Sequence, residues 1–218
     1  MTRPGEEPGA TFERRFDWRG AARSVVLPLA VLALIVGGLW YWQNRGDSAS
    51  NSPYGPVALP QAKNATNNSP APEEGRAGPD FLLEQLGGGE LRFSDLQGKP
   101  VLLNFWASWC PPCREEMPEI VAAYEGYKDK GLVVIGVNLQ EPGSKITEFA
   151  EDFGMTFPIV IDRSGDVGET WRIGGAIDGL PSSYFIDSTG VVRGVFYQPL
   201  TEESIEQGLA DILPGDGT

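Results

Sequence analysis

Histidine is absent from this chain of 218 residues. Its absence excludes a Ser-His-Asp triad, a Cys-His protease and every His-ligated metal site. Cysteine occurs twice, as Cys110 and Cys113. Two thiols cannot supply a four-ligand zinc site within one chain, nor a disulfide-scaffold fold. Basic residues number 17 against 30 acidic ones. The resulting net charge of −13 argues against a nucleic-acid partner, which needs a basic footprint. No metal and no nucleic acid are therefore expected.

The charge is unevenly spread. Residues 1–23 hold five Arg against four acids, and residues 43–79 hold three of each sign. Residues 80–218 hold nine basic and 23 acidic groups, a net −14. The acidity belongs to one soluble, self-repelling segment. Residues 24–42, SVVLPLAVLALIVGGLWYW, carry no charge over 19 positions. That length approaches the roughly 20 residues needed to cross a bilayer core. Trp40, Tyr41 and Trp42 suit one interface, and Arg14, Arg15, Arg19 and Arg23 flank the other end. An uncleaved anchor is expected, with 1–23 as a cytoplasmic tail and the C-terminal part outside. A cleaved signal peptide ending at Ser48-Ala49-Ser50 and a buried core helix are the competing readings. Residues 43–79 are rich in Asn, Ser, Pro, Ala and Gly. They are expected to form a disordered tether of roughly 35 Å r.m.s. length.

Residues 80–213 form one domain with enough apolar sequence for a real core, followed by a short tail at 214–218. Phe81–Leu86 and Glu90–Phe93 flank Gly87-Gly88-Gly89, a hairpin signal. Val101–Trp106 and Leu132–Leu139 are apolar runs of strand length. Residues 113–129 carry Met117, Ile120, Val121, Tyr124 and Tyr127 at helical spacing, with a kink expected at Pro118. A second helix carries Ile146, Phe149, Ala150 and Phe153. Pro158–Ile161 then reads as a strand and Val167–Ile173 as a short helix. A second hairpin joins Ser182–Ile186 to Val191–Tyr197, and a closing helix carries Ile205, Leu209 and Ile212. The alternation predicts an α/β domain: a central mixed β-sheet flanked by helices, with an N-terminal β-hairpin extension.

Cys110-Pro111-Pro112-Cys113 lies between a buried strand and a helix. A strand feeding a helix puts Cys110 at the helix N-terminus, where partial positive charge stabilises a thiolate. Cys113, three residues on, is placed to attack a mixed disulfide on Cys110 from within. An inert bridge is the bland alternative, yet a four-residue loop supplies only about 1.9 kcal/mol. A metal shared between two chains is another. Glu116 follows Cys113 by three residues, on the same helical face. A carboxyl so placed is expected to be partly desolvated, with a raised pKa, and able to exchange a proton with Cys113. Glu115 and Glu119 are expected to be solvated.

The segment from Asn104 to Pro118, NFWASWCPPCREEMP, resembles the active site of thioredoxin-fold proteins. It is most similar to the membrane-anchored TlpA/ResA/CcmG group of bacterial thiol–disulfide oxidoreductases. The resemblance spans roughly residues 79–213 and takes in Gly179-Leu180-Pro181 and Phe185-Ile186-Asp187. It implies that Cys110 attacks and Cys113 resolves, with the redox-active disulfide in place of any cofactor. It further implies that Pro181 is a cis-proline facing the site. Trp109, Pro111, Pro112, Leu180 and Pro181 would form the substrate-binding surface, with Trp109 packed beside the cysteines. Asn104 stands where typical thioredoxins bury an aspartate, which moves proton transfer toward Glu116. The glycine-rich approach Gly174-Gly175-Ala176-Ile177-Asp178 departs from the family pattern.

The implied activity is reduction of protein disulfides, such as those of apocytochrome c. An integral-membrane reductant of the CcdA or DsbD type would recharge it. A disulfide-inserting oxidase or isomerase and a reductase for copper-site assembly proteins are the alternatives. A peroxiredoxin is the remote one: Leu103 and Ala107 stand where those enzymes carry Pro and Thr or Ser.

Overall fold

The computed structural model describes residues 28–39, 52–173 and 179–213, in two separate units. In the first, residues 28–39 form one helix (α1) whose side chains are all exposed. Among the described residues no helix is long and apolar enough to cross a membrane. The remainder of the expected anchor, 24–27 and 40–42, lies outside the described residues. So do the 1–23 and 214–218 tails and the glycine-rich 174–178 segment.

The second unit begins at Ser52. Its strands are β1 (Gly55–Pro56), β2 (Phe81–Gln85), β3 (Glu90–Arg92), β4 (Val101–Trp106), β5 (Val133–Leu139), β6 (Ile159–Asp162), β7 (Ser182–Ile186) and β8 (Val192–Phe196). Its helices are α2 (Pro111–Tyr127), α3 (Gly143–Phe153), α4 (Asp166–Thr170) and α5 (Glu202–Ile212). The sheet runs β1-β2-β6-β5-β4-β7-β8, with β3 paired to β2. β4, β5 and β6 are parallel, whereas β7 and β8 join antiparallel. This is the expected thioredoxin-like mixed sheet with its N-terminal hairpin. Every residue of β4 is buried, as a central strand covered on both faces requires. α2 runs through Pro118, which is exposed.

The tether expected over 43–79 needs correction. From Ser52 onward this stretch is laid on the domain. Gly55 and Pro56 pair with Leu82 and Phe81. The Gly75 N–H donates to the Val192 carbonyl at 2.8 Å, and the Val192 N–H donates back to Arg76 at 2.9 Å. Lys63 Nζ reaches the Ser94 carbonyl at 2.7 Å and the Asp95 carboxylate at 2.8 Å. The segment has too few aliphatics to build a core of its own. Its backbone is satisfied by edges that the domain already presents, a source of order that composition does not register.

An aromatic cluster supports the sheet beneath the hairpin. Trp171 packs edge-on to Phe93, with ring centroids 5.6 Å apart, and edge-on to Tyr184 at 4.8 Å. Gly78 passes so close that an added Cβ would stand 2.9 Å from the Trp171 ring. Asp80, also buried, takes the N–H groups of Phe81 and Ser94 and the Arg92 guanidinium, at 3.0, 2.8 and 2.9 Å. The hairpin is thereby fixed to the chain entering β4, whose far end leads into the cysteines.

Candidate active site

β4 ends at Trp106, and α2 begins after four intervening residues. Cys110 is the N-cap of α2, and its Sγ accepts the Cys113 N–H at 3.2 Å. Pro111 and Pro112 occupy the first helical positions, where their missing N–H groups cost nothing. Cys110 and Cys113 form a disulfide, with Cα atoms 5.3 Å apart. Both sulfur-bearing residues are buried. On reduction, the Cys113 N–H and the positive end of a 17-residue helix face the Cys110 sulfur. That is the setting in which a thiol ionises readily.

Trp109 is 50% exposed rather than core, an apolar surface that directly precedes Cys110 in the chain. Pro111 is exposed and Pro112 half-buried. The Leu180–Pro181 peptide is cis, and both residues are buried. β7 starts directly after Pro181, and Ser182 lies in register with Phe105 of β4. The sheet therefore brings the Leu180–Pro181 turn to the end of β4 from which the cysteine loop departs.

Glu116 is fully buried. Its Oε1 accepts Asn104 Nδ2 at 2.7 Å, and its Oε2 accepts the Leu200 N–H at 2.8 Å. Asn104 Nδ2 also donates to Ser183 Oγ at 2.9 Å, across the β4–β7 pairing. Burial pushes the Glu116 carboxyl up from 4.5 to about 7, against the pull of the Leu200 and Asn104 donors. The carboxyl thus holds or releases a proton near neutral pH, one helical turn from Cys113. Glu115 and Glu119 are exposed.

Two parts of this region carry no signal near the cysteines in sequence. The Leu200 N–H is a backbone donor, which any residue would supply. Glu141, nearly buried, accepts the Ser108 N–H at 2.7 Å, the Ser108 hydroxyl, and Asn138 Nδ2 at 2.7 Å. The only trace of it in sequence is a pair of polar residues closing an apolar strand, Asn138 and Glu141.

Comparison with known proteins agrees with the geometry. The model of the AhpC/TSA family matches residues 75–195. The thiol-disulfide oxidoreductase ResA of Geobacillus kaustophilus is 44% identical over 140 residues, covering 64% of this chain and 78% of that protein. The thioredoxin-like protein YneN of Bacillus subtilis is 36% identical over 140 residues, covering 63% and 79%. Among solved structures, a Chlorobium tepidum protein assigned as a thiol:disulfide interchange protein DsbE superposes with a TM-score of 0.58. It is 31% identical, and the match covers 63% of this chain and 96% of that one. The chain belongs to the AhpC/TSA family and, within it, to the ResA-type thiol-disulfide oxidoreductases.

Proposed function

We propose that this oxidoreductase is a membrane-tethered, extracytoplasmic reductase of protein disulfides, serving apocytochrome c cysteines before haem attachment. The observation that carries the reading is the fully buried Glu116 carboxyl, one helical turn beyond the resolving Cys113. In the reduced protein the Cys110 thiolate attacks one sulfur of a substrate disulfide. That bond breaks, a Cys110–substrate disulfide forms, and the first substrate thiolate leaves. Cys113 gives its proton to Glu116 and attacks Cys110 Sγ. The mixed disulfide breaks, the second substrate thiolate leaves, and the Cys110–Cys113 disulfide is restored. Two electrons pass from the dithiol to the substrate.

Trp109, Pro111, Pro112, Leu180 and Pro181 form the surface on which the substrate strand lies. No cofactor takes part beyond the disulfide. The resemblance to the TlpA/ResA/CcmG group supports the apocytochrome substrate and an integral-membrane reductant of the CcdA or DsbD type. The uncharged run at 24–42 supports the tether and the export of the domain. A tether holds the domain near a membrane-bound reductant at high effective concentration. The test is a Cys113→Ser trap in membranes. A mixed disulfide at Cys110 with a c-type apocytochrome is expected, and its loss in Cys110→Ser. Trapping of other proteins, with apocytochromes absent, would overturn the substrate assignment.

A further inference from the structure

We propose that Glu141 is the positioning residue for the attacking cysteine: it holds the 107–109 turn through Ser108 and so sets where Cys110 meets the N-terminus of α2. The inference rests on the thiol–disulfide reading of Cys110.

Ser108 lies past the end of β4, whose ladder stops at Trp106. Its N–H therefore has no sheet partner. Glu141 takes both donors of Ser108, the N–H and the hydroxyl, in a two-point grip that fixes orientation as well as distance. Its third donor is Asn138, which pairs in register with Trp106. The grip is thus anchored in the sheet itself. On the other side, Arg114 Nη1 points at the Ser108 carbonyl from 3.5 Å. Its guanidinium lies over the Phe149 and Phe153 rings at 5.2 and 5.1 Å. The Cys110 N–H donates to the Ala107 carbonyl at 3.2 Å and closes the turn. Residues 107–110 are held by hydrogen bonds, while the largest side chain of the turn, Trp109, stands half in solvent.

The turn that delivers Glu141 is itself built with strain. Gln140 has φ +58°, in the left-handed region that non-glycine residues rarely occupy. Its N–H donates to the Asp162 carbonyl at 3.0 Å, and its side-chain amide donates to the Ser164 carbonyl at 2.9 Å. Burying a carboxylate is costly, and among the described residues Glu141 makes no ion pair that would offset the cost. A costly group delivered by a strained turn onto the residue two before the nucleophile points to a functional constraint. The charged groups around the turn are Arg114 and Glu116 on α2 and Lys145, Glu148 and Asp152 on α3. Ser108, Arg114 and the α3 charges line a cleft of about 280 Å³. Lys145 is raised mainly by its hydrogen bond to Glu148, and the Glu141 charge adds to that.

The test is the pH profile of Cys110 alkylation in the reduced full chain, with urea unfolding alongside. Glu141→Ala is expected to move the thiol midpoint upward by about half a unit or more, because the thiolate loses its alignment with the Cys113 N–H and the positive end of α2. Ser108→Ala is expected to move it the same way by less, and Ser108→Thr to restore it. A wild-type midpoint in Glu141→Ala, whatever its stability, would overturn the positioning role. So would a downward shift in Glu141→Ala with none in Ser108→Ala, since the carboxylate would then act by charge alone. In either case wild-type exchange at Cys110 would leave the oxidoreductase reading intact. A wild-type protein with an unreactive Cys110 would fail that reading instead.

Discussion

Glu116→Gln tests the buried carboxyl most directly, because its effect on stability has a defined pH window. The folded-state pKa lies near 7 and the model-compound value is 4.5. Between those two values the folded protein holds a proton that the unfolded chain has released. The Glu116 contribution to folding stability must then fall as pH rises from about 4.5 to about 7, and level off above. The gap of about 2.5 units corresponds to about 3 kcal/mol at 1.36 kcal/mol per unit. Gln resembles the protonated acid and is accommodated by the local geometry. Its carbonyl can accept the Leu200 N–H. Its amide can donate to Asn104 Oδ1, which has no partner among the described residues, once the Asn104 amide turns over. The Ser183 hydroxyl can then donate to the same oxygen. The assay is urea unfolding of the oxidised full chain at about pH 5 and about pH 8. The variant should match the wild type near pH 5 and exceed it by about 2–3 kcal/mol near pH 8. Parallel pH dependences in the two proteins would refute the assignment of a near-neutral carboxyl to Glu116.

Three further outcomes follow from the packing. Asp80→Ala leaves two buried N–H groups and Arg92 without their acceptor, and should cost about 3 kcal/mol in urea unfolding. Gly208→Ala would set a Cβ 2.6 Å from the Phe185 ring. It should destabilise by about 1–3 kcal/mol despite the better helix propensity of alanine, and a higher thermal midpoint would contradict this. Trp109→Ala, at a half-exposed position, should change unfolding free energy by less than about 1 kcal/mol. Its exchange rate with a protein disulfide should fall several-fold while that with a small-molecule disulfide is retained. Equal losses on both substrates would remove Trp109 from the docking surface.

The central strands were legible because they bury both faces. β4 and β7 occupy the very residues read as strands, and β5 begins one residue late. The Cys-Pro-Pro-Cys loop was legible because strand, cysteine, proline and helix follow one another along the chain. Glu116 was legible from its three-residue spacing to Cys113. Its full burial was not, because the cover comes from Asn104 and from Leu200, which lies 84 residues further along the chain. The 52–79 segment was misread for a related reason. Its order comes from hydrogen bonds to β2, β8 and the turn at Ser94, none of which its own composition records. Glu141 escaped notice because it meets Ser108 through the parallel β4–β5 pairing, far from the cysteine motif in sequence.

The central claim is that this dithiol delivers electrons to protein disulfides. The most direct measurement is the reduction potential of the Cys110–Cys113 pair in the full chain, read by tryptophan fluorescence against defined thiol–disulfide buffers. A value near or below about −220 mV, toward the thioredoxin end of the scale, is expected for a reductase. A value near about −120 mV, where strong disulfide donors sit, would contradict the account and make the protein an oxidase.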